Sequence, residues 1–176
     1  CERRNRLIRR APNASDPVFH VLAANVDCLV AVAAAREPEF SAGIIDRFLV
    51  AASVQRIPQV LCINKADLIE PGEPSPWAHY PSAEVPVVEA SAHDGRGTVR
   101  LLELLRGKVT VFCGHSGVGK TSLLRRLLTD ESYGRVGLVN AKSGKGRHTT
   151  SGAVFLNGPE GSSFIDTPGV MNFGLI

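Results

Sequence analysis

Along the chain, apolar runs of about five residues alternate with stretches whose apolar residues recur every three or four positions. Asp27–Ala33 (DCLVAVA) is almost continuously apolar, the pattern of a strand buried on both faces. Ser41–Gln55 follows with Ile44, Ile45, Phe48, Leu49 and Ala52 on one stripe, which predicts a helix with Ser41 as its N-cap. Gln59–Ile63 reads as a second buried strand, residues 71–81 as a Pro-rich loop and Val85–Ala90 as a third strand. Thr98–Leu105 is helical, with leucines at 101, 102, 104 and 105, and Lys108–Cys113 is a fourth strand. Lys120–Leu128 is a helix carrying Leu123, Leu124, Leu127 and Leu128. Residues 131–152 are rich in Gly, Ser and Lys, lack apolar periodicity and read as a mobile loop. Ala153–Asn157 and Ser162–Asp166 are two short strands, and Gly158–Gly161 between them signals a hairpin.

Strands alternating with helices predict an α/β fold of three layers. A six-stranded, mostly parallel sheet carries helices on both faces, and the hairpin supplies one antiparallel edge. The length of 176 residues suits one sizeable domain, and 44% hydrophobic residues suffice for its core. No apolar run approaches the ~20 residues of a membrane-spanning helix, so no membrane association is expected. The first ten residues, CERRNRLIRR, hold five arginines and no apolar signal-peptide stretch. The chain starts with Cys and reads as an excerpt of a longer protein. Residues 1–12 differ in composition from the rest and are expected to end a preceding domain, with 13–176 forming the main one.

The net charge of +3 is mildly basic. The clustered Arg3, Arg4, Arg6, Arg9 and Arg10 would suit either nucleic-acid phosphates or the solvated end of a neighbouring domain. Four cysteines, at 1, 28, 62 and 113, form no CxxC or Cys/His cluster, so no zinc site is expected. Cys28, Cys62 and Cys113 lie in apolar runs and read as buried small hydrophobes, usage that suits a reducing cytoplasm.

The strongest chemical signal is Gly114-His115-Ser116-Gly117-Val118-Gly119-Lys120-Thr121, between the strand VTVFC and a helix. That is the context of a phosphate loop: glycines let backbone N–H groups wrap a polyphosphate, and the helix N-terminus adds a favourable dipole. Lys120 is expected to reach the β- and γ-phosphates, with Thr121 on Mg²⁺ and Ser122 beside it. Asn64-Lys65-Ala66-Asp67 directly follows the strand QVLCI. The Asp67 carboxylate can accept from both N1–H and the exocyclic amine of guanine. Adenine offers no such donor pair, and a buried carboxylate left unpaired is costly. Lys65 can lay its stem along the base, and Asn64 can tie this loop to the phosphate loop. Ser91-Ala92-His93 would add backbone N–H contact to the guanine oxygen. Asp166-Thr167-Pro168-Gly169 closes the last strand, with Asp166 placed to hold Mg²⁺ through water and the Gly169 N–H near the γ-phosphate. Within Gly146-Arg147-His148-Thr149-Thr150, a threonine can complete the Mg²⁺ shell, Thr150 before Thr149.

These motifs occur in an unusual order. Small GTPases run phosphate loop, switch threonine, DxxG, NKxD, then SAx, whereas here NKAD and SAH come first. Reading from Lys108 to the end and then from Asp27 to Leu105 restores the usual order, which describes a circular permutation. Domain termini often lie close together at the surface, so such a permutation is physically tolerable.

That order, together with AANVDCLVAVAAAREPEFSAGIIDRFLVAAS and GRHTTS, resembles the RsgA (YjeQ) family of circularly permuted, small-ribosomal-subunit-dependent P-loop GTPases. The resemblance runs from about Arg3 to Phe173. It implies GTP hydrolysis to GDP with Mg²⁺, action in late maturation of the 30S subunit with contact to 16S rRNA, and a monomeric protein. It also implies that residues 1–12 are the tail of an OB-fold, and that a C-terminal domain binding Zn²⁺ would supply ligands that this chain does not hold. Hydrolysis needs a water-orienting group, commonly a Gln just after DxxG. Val170 stands there and cannot orient water. His148 resembles the family's proposed replacement, and as a residue it reads equally as a solvated loop histidine. Lys120 is the other expected catalytic residue. Three other readings are a P-loop ATPase or kinase, a nucleotide-dependent ribosome-binding switch with negligible catalysis, and a permuted GTPase of the large subunit.

Overall fold

A computed structural model describes residues 4–10, 19–80, 84–128 and 153–167. Its elements are β1 (Arg6–Arg10), β2 (Phe19–Ala24), β3 (Cys28–Ala34), α1 (Ala42–Val54), β4 (Gln59–Asn64), a 3₁₀ turn (Ala66–Leu68), β5 (Val87–Glu89), α2 (Thr98–Leu105), β6 (Val109–Gly114), α3 (Lys120–Leu128), β7 (Val154–Asn157) and β8 (Ser163–Asp166). The main sheet has six strands in the order β5-β4-β3-β6-β8-β7. Every neighbouring pair is parallel except β7 with β8, the hairpin at the edge.

Both faces of this sheet are covered, and the two-residue period of the strands sorts their side chains between them. Leu29, Ala31, Ala33, Leu61, Ile63, Val111 and Cys113 face α1, where Ile45, Phe48, Leu49 and Ala52 meet them. The alternate residues Cys28, Val30, Val32, Ala34, Cys62 and Phe112 face α2 and α3, where Leu101, Leu105, Leu123, Leu124 and Leu127 close the second core. All seven residues of β3 are buried, which is why DCLVAVA shows no polar alternation. The result is helix, sheet, helix, as expected of the α/β pattern.

Several details depart from the sequence pattern. Ser41 occupies the N-cap of α1, but its side chain makes no cap bond; its carbonyl instead accepts from Ile44 N at 3.2 Å and Ile45 N at 3.3 Å. The third strand begins at Val87, after Pro86, which has no N–H to give to a ladder. The start of α2 requires glycine: Gly97 has φ +68°, and an added Cβ would lie 2.0 Å from the Glu89 carbonyl oxygen.

Neither β1 nor β2 is evident from the sequence. RLIRR is dominated by charge, which strands disfavour, and FHVLAA alternates weakly. The two pair antiparallel in a sheet of their own, on either side of residue 12, and Leu7 is fully buried in the core beneath α1. The ribbon is joined to the main sheet through Asp27. Its Oδ2 accepts from Val109 N at 2.9 Å and its Oδ1 pairs with Arg4 Nη2 at 3.0 Å. Asn5 adds two bonds, giving Nδ2–H to the Val26 carbonyl at 2.7 Å and receiving Val26 N–H on Oδ1 at 3.0 Å. Among the described residues no helix is long and apolar enough to cross a membrane.

Candidate functional site

The sheet's connections create a crevice before any side chain is considered. From β3 the chain passes to α1 on one face, and from β6 it passes to α3 on the other. Because β3 and β6 are neighbours, the connections leaving their C-terminal ends diverge where the strand order reverses, the general ligand position of open α/β sheets. Residues 115–119, between β6 and α3, lie at that point.

Asn64, the last residue of β4 and only 1% exposed, organises the loops around the crevice. Its Nδ2 donates to the Val118 carbonyl at 2.8 Å, and its Oδ1 accepts from Ala92 N at 3.1 Å. One amide therefore joins the 64–67, 91–93 and 114–122 segments. Gly119 must be glycine for this contact: its φ is +82°, and a Cβ would lie 2.4 Å from Asn64 Nδ2. Lys65 adopts the left-handed region, φ 61°, which turns the chain sharply after β4, and its Nζ donates to the Glu37 carbonyl. Ala66 N–H reaches the Ala90 carbonyl at 2.9 Å. Asp67 follows, half-buried in the 3₁₀ turn.

Ser91 is fully buried, and its Oγ accepts from His93 N and Asp94 N, both at 3.1 Å, which folds the 91–94 turn on itself. His93 is exposed and Ala92 half-buried. The backbone N–H of Arg96, and after it the Ser91 hydroxyl and the Arg96 guanidinium, hold the Asp94 carboxyl below its usual range.

Lys120 opens α3 and is 8% exposed. Its Nζ donates to Asp166 Oδ1 at 2.6 Å and also to the Thr167 carbonyl. Thr121 and His115 are half-buried, and Ser116, Gly117 and Ser122 are exposed around the same turn. Among the described residues no group of three or more His, Cys, Asp or Glu side chains is placed to hold a metal ion. Hard oxygen donors at the crevice come instead from the Thr121 hydroxyl and the Asp166 carboxylate.

The structure thus brings together residues 64–67, 91–93, 114–122 and Asp166. His148, Thr149, Thr150, Gly169 and Val170 lie outside the described residues, as does the 131–152 loop. Two contacts that support these segments have no signature in the sequence. Arg96 Nη1 donates to the Ala66 carbonyl at 3.3 Å, and Thr167 Oγ1 donates to the Phe112 carbonyl at 2.7 Å. Each acts on backbone far away in the chain, so no local spacing announces it.

The sequence profile of the RsgA GTPase family matches residues 1–176. The chain belongs to the RsgA GTPase family. It is 39% identical over 178 residues to the Chlorobaculum tepidum protein named "Small ribosomal subunit biogenesis GTPase RsgA", an alignment covering 99% of this chain and 57% of that protein. It is 46% identical over 158 residues to a Pseudomonas fluorescens protein of the same name, covering 88% of this chain and 46% of that one. Among solved structures it is similar to YjeQ from Thermotoga maritima, with TM-score 0.68, 32% identity and coverage of 96% of this chain and 53% of that one. It is also similar to YloQ, described as a circularly permuted GTPase, with TM-score 0.64, 26% identity and coverage of 98% and 51%. The fold is a circularly permuted P-loop GTPase domain, and the chain spans about half the length of the curated relatives it matches.

Proposed function

We propose that this chain binds GTP and GDP with Mg²⁺ and hydrolyses GTP in the service of small-ribosomal-subunit biogenesis. The observation that carries the reading is the double hydrogen bond of Asn64, which assembles a guanine-type loop, a Ser-Ala-His loop and a phosphate loop at one crevice. The names of its relatives support the ribosomal role.

In this reading Asp67 accepts from the two guanine donors, with Lys65 along the base and Ala92 and His93 offering backbone N–H to the guanine oxygen. Residues 114–119 present backbone N–H groups to the phosphates at the start of α3. Lys120 leaves its present acceptors for phosphate oxygens. Mg²⁺ would be held by Thr121, by Thr150 and, through water, by Asp166, all oxygen donors suited to a hard cation, and there it would offset phosphate charge. Gly169 N–H would meet the γ-phosphate.

Val170 cannot orient water, so His148 is the proposed water-orienting residue, made effective by the 30S subunit. The partners are that subunit and its 16S rRNA, in the cytoplasm and with the protein as a monomer. Residues 1–12 would end an OB-fold-like domain; β1 belongs to this tail and pairs with β2, which carries the unit past residue 12. Zn²⁺ would belong to a further domain with its own ligands.

Two measurements test this. A fluorescent GTP analogue is expected to bind and to be displaced by GTP and GDP but not by ATP; displacement by ATP would sink the guanine reading. GTP turnover is expected to rise with 30S and not with 50S subunits, and His148→Ala to remove that rise. Binding without turnover under any condition would instead mark a nucleotide-dependent switch.

A further inference from the structure

Thr167 directly follows β8, wholly buried, and every one of its polar groups is engaged. In the parallel register of β6 and β8, Phe112 lies beside Asp166, so the Phe112 carbonyl is the acceptor for the last ladder bond. That bond, from Thr167 N, is long at 3.4 Å. The Thr167 hydroxyl donates to the same oxygen at 2.7 Å and so closes the sheet where the backbone barely does. Phe112 is two residues before Gly114, on the strand that leads into the phosphate loop. The Thr167 carbonyl, for its part, accepts from Lys120 Nζ beside Asp166 Oδ1.

We infer that Thr167 is a positioning residue: its hydroxyl pins the Asp166–Thr167 segment to β6, and this fixes the Asp166 carboxylate at one distance from the phosphate loop. The inference rests on the GTPase reading and deepens it. The outer partners that hold such a carboxylate in place control affinity for the cation. Lys120 needs no such help to find phosphate, since a lysine acts as a flexible point charge. Loss of the hydroxyl is therefore felt in the part of nucleotide affinity that depends on Mg²⁺.

The test compares wild type, Thr167→Val (same shape, no hydroxyl) and Thr167→Ser (hydroxyl kept) in the full chain. Affinity for a fluorescent GDP analogue is measured with Mg²⁺ and with a chelator, alongside the melting temperature of each protein. In wild type the ratio of the two affinities reports the contribution of Mg²⁺. Thr167→Val is expected to shrink that ratio about tenfold, the scale on which lost outer partners weaken metal sites, and Thr167→Ser to restore it. A Thr167→Val protein with the wild-type ratio would overturn the inference, even if it melted earlier, because a purely structural role lowers both affinities together. So would a Thr167→Ser protein as impaired as Thr167→Val. Failure of wild type to bind guanine nucleotide at all would instead overturn the GTPase reading beneath it.

Discussion

The side-chain amide of Asn64 donates to the Val118 carbonyl at 2.8 Å while its oxygen receives the Ala92 N–H, so two loops 54 and 28 residues away in the chain are held by one buried group. Asn64→Ala would leave a carbonyl and an N–H without these partners. Each such loss costs about 1–3 kcal/mol when the group stays buried. Urea unfolding should show a loss of that order, and guanine-nucleotide binding should weaken with it. A variant of wild-type stability would mean that neither bond matters.

Gly119→Ala is expected to disturb the same contact from the other side. The added Cβ would meet Asn64 Nδ2, and the residue would keep a left-handed φ that costs about 1–3 kcal/mol for a side-chain-bearing residue. Equilibrium nucleotide binding should fall sharply, and restoring the volume elsewhere should not help. Retained wild-type affinity would count against the contact.

The Lys120–Asp166 pair is buried on both sides, with side-chain exposures of 8% and 3%. Removing one partner from such a pair leaves an uncompensated charge and costs about 3–5 kcal/mol, whereas replacing both costs much less. In a double-variant cycle of Lys120→Met and Asp166→Asn, the double variant should be more stable than either single one by chemical denaturation. Simple additivity would show that the pair is solvated in practice.

Asp67→Asn should alter base choice. The amide presents one acceptor and one donor, which matches the N1–H and C2 oxygen of xanthine in place of the two donors of guanine. Preference for GTP over XTP should fall by on the order of 100-fold or more, given how strongly buried hydrogen-bond mismatches are rejected. Unchanged preference in a competition assay would remove Asp67 from the base site.

Asp27 lends itself to a pH test. The Val109 N–H, and after it the Arg4 guanidinium, lower its pKa from the ordinary 3.8. A depressed folded-state value means that the carboxylate stabilises the fold above the unfolded pKa and loses that effect as pH falls through the folded one. Asp27→Asn should therefore be less stable than wild type by about 1 kcal/mol near neutrality. The gap should close below about pH 4. A gap independent of pH would assign the effect to packing. Burial also pushes the thiols of Cys28 up to about 11 and of Cys62 and Cys113 up to about 12, so at pH 8 all three stay protonated. Mass spectrometry after alkylation should find them unlabelled in native protein and labelled once it is denatured.

The hydrophobic pattern alone made the six strands of the main sheet and its three helices legible, because a strand buried on both faces and a one-sided helix leave different periods. Gly119, Lys120, Asn64 and Asp67 stand out in the sequence for another reason: the chemistry proposed for them needs particular residue types at short spacings, and a short spacing survives any rearrangement of the chain. The pairing of β1 with β2 was not legible, since charged RLIRR is held by the burial of Leu7 under α1 and by bonds from the preceding Arg4 and Asn5 to residues 25–27. Nor was the part played by Thr167 and Arg96, whose side chains act on the carbonyls of Phe112 and Ala66. By itself, then, the sequence determined the strands and helices of the main sheet, the motifs on the loops between them and the permuted order of those motifs. Only the tertiary structure decided which distant groups meet: a hydrogen bond between residues 30 to 55 positions apart depends on how the sheet brings backbone together, and a periodic pattern holds no record of it.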